Sequence, residues 1–203
     1  IPLRLVGSEM CIRDSNGDDM QLGSLSSQFP SGASWYAMVD LLESNVKRYN
    51  ILGVNSANDD RMVAANYSES RPSSFLSYRA NLSGWNNFPA TGKAIFVYES
   101  DSTVFRISVN GSEIGTSSAA YSSGSGVWQI GNRVGSGQAY NGYIAEIVML
   151  NAVLPDTTRK IMEGYLAHKW GASTSLPASH PYRASAPTST SSITSPLTAS
   201  ASR

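Results

Sequence analysis

The chain has 203 residues, of which 15 are basic and 15 acidic, so its formal charge is zero and only 15% of it is charged. Nothing in that balance supplies the basic footprint that nucleic acid requires, and no apolar run approaches the ~20 residues of a membrane-spanning helix. The length suits one domain with a sizeable core, and the abundance of Ser, Gly, Asn and Thr suits a β-rich, turn-rich domain of extracellular type.

Residues 1–15, IPLRLVGSEMCIRDS, neither begin with Met nor show the order of a signal peptide. They resemble the translation of sequencing-adaptor read-through, which predicts a non-native, disordered segment; a real edge strand at residues 3–6 is the alternative. Cys11, the single cysteine, lies in this segment, so no disulfide framework is argued. The domain proper is expected over residues 16–183, with its first strand or two and any signal peptide lost.

Met20, Leu22 and Leu25 suggest a ragged edge strand after the turn signal NGDD. Residues 35–42 (WYAMVDLL) predict a strand covered on both faces, because the run is almost continuously apolar. YNILGVN (49–55) and RMVAANY (61–67) predict a hairpin, and SFLSYR (74–79) a further strand. Residues 81–89 (NLSGWNNFP) read as a loop. KAIFVYE (93–99) and TVFRISV (103–109) are the clearest strands, with Phe105, Ile107 and Val109 on one face and Val104, Arg106 and Ser108 on the other. Asn110-Gly111 predicts a type I′ turn into SEIGT (112–116). VWQIG (127–131) is a strand, NRVGSGQAYN (132–141) a loop, and GYIAEIVML an inner strand.

A helix is expected after Pro155, with Asp156 as its N-cap. Its apolar face should carry Ile161, Tyr165, Leu166 and Trp170 (or Met162), and Gly171 should end it. LPASHPY (176–182) should then lie extended, because each proline disfavours helix before it. Residues 184–203 are rich in Ala, Ser, Thr and Pro and are expected to be a disordered tail or linker.

Residues 142–182, with the motif EGYLAHKWG at 163–171, resemble the C-terminal signature of laminin-G-like, concanavalin A-like jelly-roll domains of bacterial extracellular and phage tail proteins. Trp35 opening a strand, KAIFVYESDSTVFRISVNGSEIGT and VWQIGNR agree with that resemblance, which spans residues 20–182. It implies an all-β protein: a two-sheet antiparallel sandwich closed by one C-terminal helix, of a kind often tied to glycan or surface binding.

Several motifs invite chemistry. Glu99-Ser100-Asp101 compares with the carboxylate pairs of glucanases on the same fold, but Thr103 stands where a second Glu would be needed, and a solvated turn is the plainer reading. His168 and His180 have no Cys partner for zinc and read as packing or capping groups. GNRVGSG (131–137) is not followed by a helix and so fails as a phosphate cradle. Laminin-G-like domains often bind calcium through loop oxygens, which points to Asp59, Asp60 and Asp101; turn formation by Asp is the alternative. Sugar binding needs an aromatic plane and polar side chains for hydroxyls. Trp85 with Asn86 and Asn87, and Asn132 and Arg133 with Tyr140, supply that composition on loops. Three N-x-S matches, at Asn66, Asn81 and Asn110, read as coincidence in so Asn- and Ser-rich a chain.

The reading is therefore a non-enzymatic module that binds a glycan, a surface polysaccharide or neighbouring domains of a larger protein. Its expected setting is secreted, on the cell surface or on a virion. A structural spacer and a glycoside hydrolase of the same fold are the alternatives.

Overall fold

A computed structural model describes residues 12–13, 20–25, 27–29, 31–41, 49–54, 62–65, 74–76, 92–101, 103–117, 126–132, 140 and 142–188. The strands are β1 (Ile12–Arg13), β2 (Met20–Gly23), β3 (Gly32–Leu41), β4 (Tyr49–Val54), β5 (Met62–Ala65), β6 (Ser74–Leu76), β7 (Gly92–Asp101), β8 (Phe105–Val109), β9 (Ser112–Ser117), β10 (Trp128–Ile130) and β11 (Gly142–Leu150). One helix follows, α1 (Asp156–Lys169), then a 3-10 turn at Ser173–Ser175. The strands form two sheets, in the orders β1-β11-β3-β7-β8-β9 and β2-β10-β4-β5-β6, with every pairing antiparallel. The expected two-sheet antiparallel sandwich with one helix is the observed fold.

Alternation along the central strands sorts two layers of packing. On β3, Trp35, Ala37, Val39 and Leu41 face the second sheet, while Tyr36 and Met38 face the helix. Both faces are covered, which is why this strand shows no polar alternation. On β7 the same split sends Ala94, Phe96 and Tyr98 inward and Ile95 and Val97 outward. Between the sheets, Trp35 stacks on Tyr98 at 4.2 Å and meets Trp128 of β10 edge-on at 4.8 Å. Such pairs add about 0.5–1.5 kcal/mol each beyond the area they bury.

Turn chemistry sets the register of the six-stranded sheet. Asn110 and Gly111 take φ values of 50° and 77°, as the expected turn requires. The Asn110 side chain also accepts a hydrogen bond from the Ile95 amide at 2.8 Å, tying the turn to β7. On β11 a bulge falls between Ile144 and Glu146. The extra residue flips the parity, so Ile144, Ile147 and Met149 point inward while Glu146 joins the helix side.

Four expectations need correction. First, Ile12 and Arg13 pair with Ile144 and Tyr143 at the sheet edge, so the segment expected to be disordered contributes two paired residues. Second, Asp156 is the first helical residue and not the N-cap. Pro155 holds that position without a side-chain cap, and the Asp156 carboxylate pairs instead with Arg159 and with Lys160. Third, the buried face of the helix is not mainly apolar: it carries Arg159, Glu163, Gly164, Leu166 and Ala167, while Ile161, Tyr165 and Trp170 are half-buried. The helix lies over the outer face of the six-stranded sheet, which presents charged groups of its own to it. Fourth, residues 176–182 are not extended. The His180 amide donates to Pro177 O at 2.9 Å and the Arg183 amide to His180 O at 3.1 Å, making two successive turns that satisfy backbone groups which burial would otherwise strand.

The helix ends as expected. Gly171 is left-handed at φ 66°, the Ala172 amide donates to Ala167 O at 2.7 Å, and Ala167 and Ala172 both lie in the apolar cluster under the helix. Lys93 Nζ reaches Trp170 O at 2.8 Å and satisfies a carbonyl at that end.

Candidate functional site

Trp85, Asn86, Asn87, Arg133, Asp59 and Asp60 lie outside the described residues, as do the Asn66 and Asn81 matches. Their anchor points, however, are described. The segment holding Trp85 enters β7 at Gly92, and the segment holding Arg133 enters β11 at Gly142. Both glycines are in register with Leu41, the last residue of β3. β7 and β11 therefore begin at the same end of the six-stranded sheet, on either side of β3. The Tyr140 amide donates to Gly131 O at 2.7 Å, so the two ends of the second loop are pinned together.

Tyr140 itself is corrected. Its side chain is 0% exposed and belongs to the core between the sheets, and its hydroxyl donates to Asp40 O at 3.3 Å. It offers no ring face to a sugar. It packs against Gly142, where an added Cβ would meet the Tyr140 hydroxyl at 2.8 Å and Asp40 O at 2.3 Å. Asn132 is half-buried next to Gly131, at the root of the loop.

Asp101 ends β7 and closes the turn into β8. Its Oδ1 accepts from the Thr103 amide at 2.7 Å, the Thr103 hydroxyl at 2.7 Å and the Val104 amide at 2.9 Å. Burial pushes its carboxyl up, but these three bonds outweigh that and hold it below the usual range. Three donors on one oxygen are the signature of a turn-forming Asp. Among the described residues no three His, Cys, Asp or Glu side chains gather around a metal-sized site.

Glu99 points to the opposite side from Tyr98 and lies under the helix, 0% exposed. Its Oε2 accepts from Arg106 Nε and Nη2, both at 2.8 Å, and lies 3.8 Å from Arg159 Nε. Burial pushes the Glu99 carboxyl up, and the two arginines pull it back. Arg159 in turn donates to Glu163 Oε1 at 2.9 Å, and His180 meets Glu163 Oε2 at 3.1 Å. Tyr36 stands beside them with its phenol pushed well up by burial and by Glu99 and Glu163. This cluster fastens helix to sheet. Sealed under the helix and held by guanidinium groups, Glu99 cannot reach a glycosidic bond with Asp101, which faces the turn.

A second polar anchor forms at the far end of the helix. Glu146, placed by the bulge, accepts from Trp170 Nε1 at 2.8 Å and from the Tyr165 hydroxyl at 3.0 Å, and pairs with Lys169 at 3.1 Å. Sequence reasoning missed both clusters. Two signals were available: Arg159 and Glu163 stand four apart on one helix face, and Glu99 and Glu146 interrupt otherwise apolar strands.

No protein-family model matches the sequence, and no curated protein matches it. Solved structures do. The CBM40 of the Ruminococcus gnavus IT-sialidase is 15% identical, with a TM-score of 0.54 over 74% of this chain and 94% of that one. The same module bound to α2,3 sialyllactose is 14% identical, with a TM-score of 0.54 over 75% and 94%. The binding domain of botulinum neurotoxin serotype D/C is 14% identical, with a TM-score of 0.48 over 75% and 42%. At such identities the CBM40 likeness establishes a lectin-like β-sandwich fold.

Proposed function

We propose that the chain is a non-catalytic carbohydrate-binding module that recognises glycans through loops at the Gly92–Gly142 end of its six-stranded sheet. What supports this reading is that β7 and β11 begin at one rim of the sheet, at Gly92 and Gly142, and that the sequence preceding them carries residue types suited to sugar recognition: Trp85, Asn86 and Asn87 before β7, Asn132 and Arg133 before β11. Fold likeness to a sialyllactose-bound CBM40 supports it and makes sialylated glycans the first ligand class to test. Trp85 would stack on a sugar face and Arg133 would pair with a carboxylate in bidentate fashion. A secreted, cell-surface or phage-tail parent protein, of the laminin-G-like kind that residues 142–182 resemble, belongs to the same proposal, as does calcium at Asp59 and Asp60.

Titration calorimetry with α2,3 sialyllactose and a broad glycan array test it. Binding that drops at least tenfold in Trp85→Ala and in Arg133→Ala, with Tyr140→Phe unaffected, is the expected result. Silence across the array, with the folded state intact, would instead favour a structural spacer.

A further inference from the structure

We infer that the segment formed by residues 176–183 is a proton-released clasp, docked on the helix by the neutral form of His180 and freed in acid. The chain has two histidines, and both hold the backbone of Tyr182. His168 Nε2, on the helix, meets Tyr182 O at 2.8 Å. The Tyr182 amide donates to His180 Nδ1 at 3.2 Å. A ring nitrogen that accepts a hydrogen bond carries no proton. His180 is therefore the neutral tautomer, with its proton on Nε2, and that proton is donated to Glu163 Oε2 at 3.1 Å. A second proton would set an N–H group against the Tyr182 N–H and remove the bond that shapes the end of the clasp.

The charges around His180 lead the same way. The helix presents Glu163 and Arg159, β7 presents Glu99, and β8 presents Arg106; two carboxylates and two guanidinium groups already balance. β3 adds Tyr36, whose raised phenol stays neutral. The Asn110-Gly111 turn touches the His180 ring without bringing a charge, since a Cβ on Gly111 would meet its Cδ2 at 3.0 Å. At the start of the helix Asp156 pairs with both Lys160 and Arg159, which adds one carboxylate and one ammonium and leaves the balance unchanged, and Arg183 spends its guanidinium on Leu176 O. Glu163 alone would favour an imidazolium, but Arg159 already occupies its other oxygen. A cationic His180, whose side chain is 2% exposed, would be an unbalanced third positive charge in a buried cluster.

A released imidazole takes up a proton below about pH 6.5. The released state thus binds more protons than the docked one, and docking weakens as pH falls. Release uncovers Leu176, which is buried under the helix, and lifts Tyr182 from Gly164, where the packing leaves no room for a Cβ.

Nitrogen NMR of the imidazole and hydrogen exchange of residues 178–183 test this on the full chain, between about pH 7.5 and 5. Comparing wild type with His180→Asn at each pH cancels the chemical exchange rate; asparagine keeps an acceptor for Tyr182 N–H but does not titrate. The expected results are a single proton on Nε2 at pH 7.5 and exchange in wild type, relative to the variant, that rises by up to tenfold per pH unit below about 6. If His180→Asn is already undocked, Glu163→Gln decides: it keeps an acceptor for Nε2 without the charge, so release should move to higher pH. A doubly protonated ring at pH 7.5, protection that holds or grows in acid, or release in Glu163→Gln at unchanged or lower pH overturns the inference.

Discussion

The two faces of the six-stranded sheet are held by different physics. The inner face meets the second sheet through Trp35, Tyr98, Phe105 and Trp128, a dry aromatic contact in which shape decides stability. The outer face meets the helix through Met38, Ile95, Val97 and Leu166, but also through Glu99, Arg106, Arg159 and Glu163 at one end and Glu146 at the other. An apolar contact tolerates small shifts, whereas a buried charge set is right in only one arrangement. The inner face supplies bulk stability. The outer one fixes where the helix and the segment behind it must sit.

The largest break in that contrast comes from removing the cover altogether. A chain ending at Asn151 leaves Glu99 without Arg159 and exposes Tyr36, Met38, Ile95 and Val97. It should be insoluble on expression, whereas a chain ending at Ala184 should unfold at the same temperature as the full chain. Soluble, cooperatively melting 1–151 protein would show that the inner face suffices alone.

Point substitutions then separate the mechanisms. Trp35→Ala should cost about 3–5 kcal/mol through the cavity it leaves. Arg159→Met should cost a similar 3–5 kcal/mol for another reason, because Glu163 and Glu99 lose a buried counter-charge. Adding Glu163→Leu to Arg159→Met should recover much of that loss in urea unfolding, while no apolar substitution near Trp35→Ala needs a charge partner to do so. If the double variant were as unstable as the sum of the singles, the charges would not be acting as one unit.

Smaller and more local is Glu146→Ala. It removes the acceptor of Trp170 Nε1 and the Tyr165 hydroxyl, and bonds to a charged group are worth about 1.5–3 kcal/mol in such settings. The loss should appear as faster hydrogen exchange in the last turns of the helix, with β3 and β7 still protected.

The same contrast explains what the amino-acid sequence made legible. Period-two alternation in 103–109 announced the inner face, and the continuous apolar run announced that β3 is covered on both faces, because apolar burial leaves a trace in residue order. Asn110-Gly111 and Gly171 were equally readable, since positive φ selects residue type. The charged part of the outer face was not. Arg159 and Glu163 look like a solvated helix face until Glu99 and His180, distant in sequence, are placed opposite them. Tyr140 failed for a related reason: a polar loop composition concealed that its ring fills the gap beside Gly142. The bulge that turns Glu146 toward the helix cannot be read from GYIAEIVML, because either parity leaves a plausible apolar side.

The mildest test lies at the edge of the outer face, in the turn after β7. Asp101 holds its carboxyl below the ordinary value of 3.8 through the bonds from Thr103 and Val104. A carboxyl more acidic in the folded state than in the unfolded one contributes stability that is present above about pH 4 and lost as pH falls through the lowered folded value. The residue is half-buried and solvent screens it, so the effect is small. Asp101→Asn keeps an oxygen acceptor for the same three donors but cannot titrate. It should fall slightly below wild type in urea midpoint near neutral pH, where the charge contributes, and lose less stability between about pH 4 and 2. Equal acid sensitivity would mean that the turn contributes nothing to the acid response, which would then reside in the buried carboxylates beneath the helix.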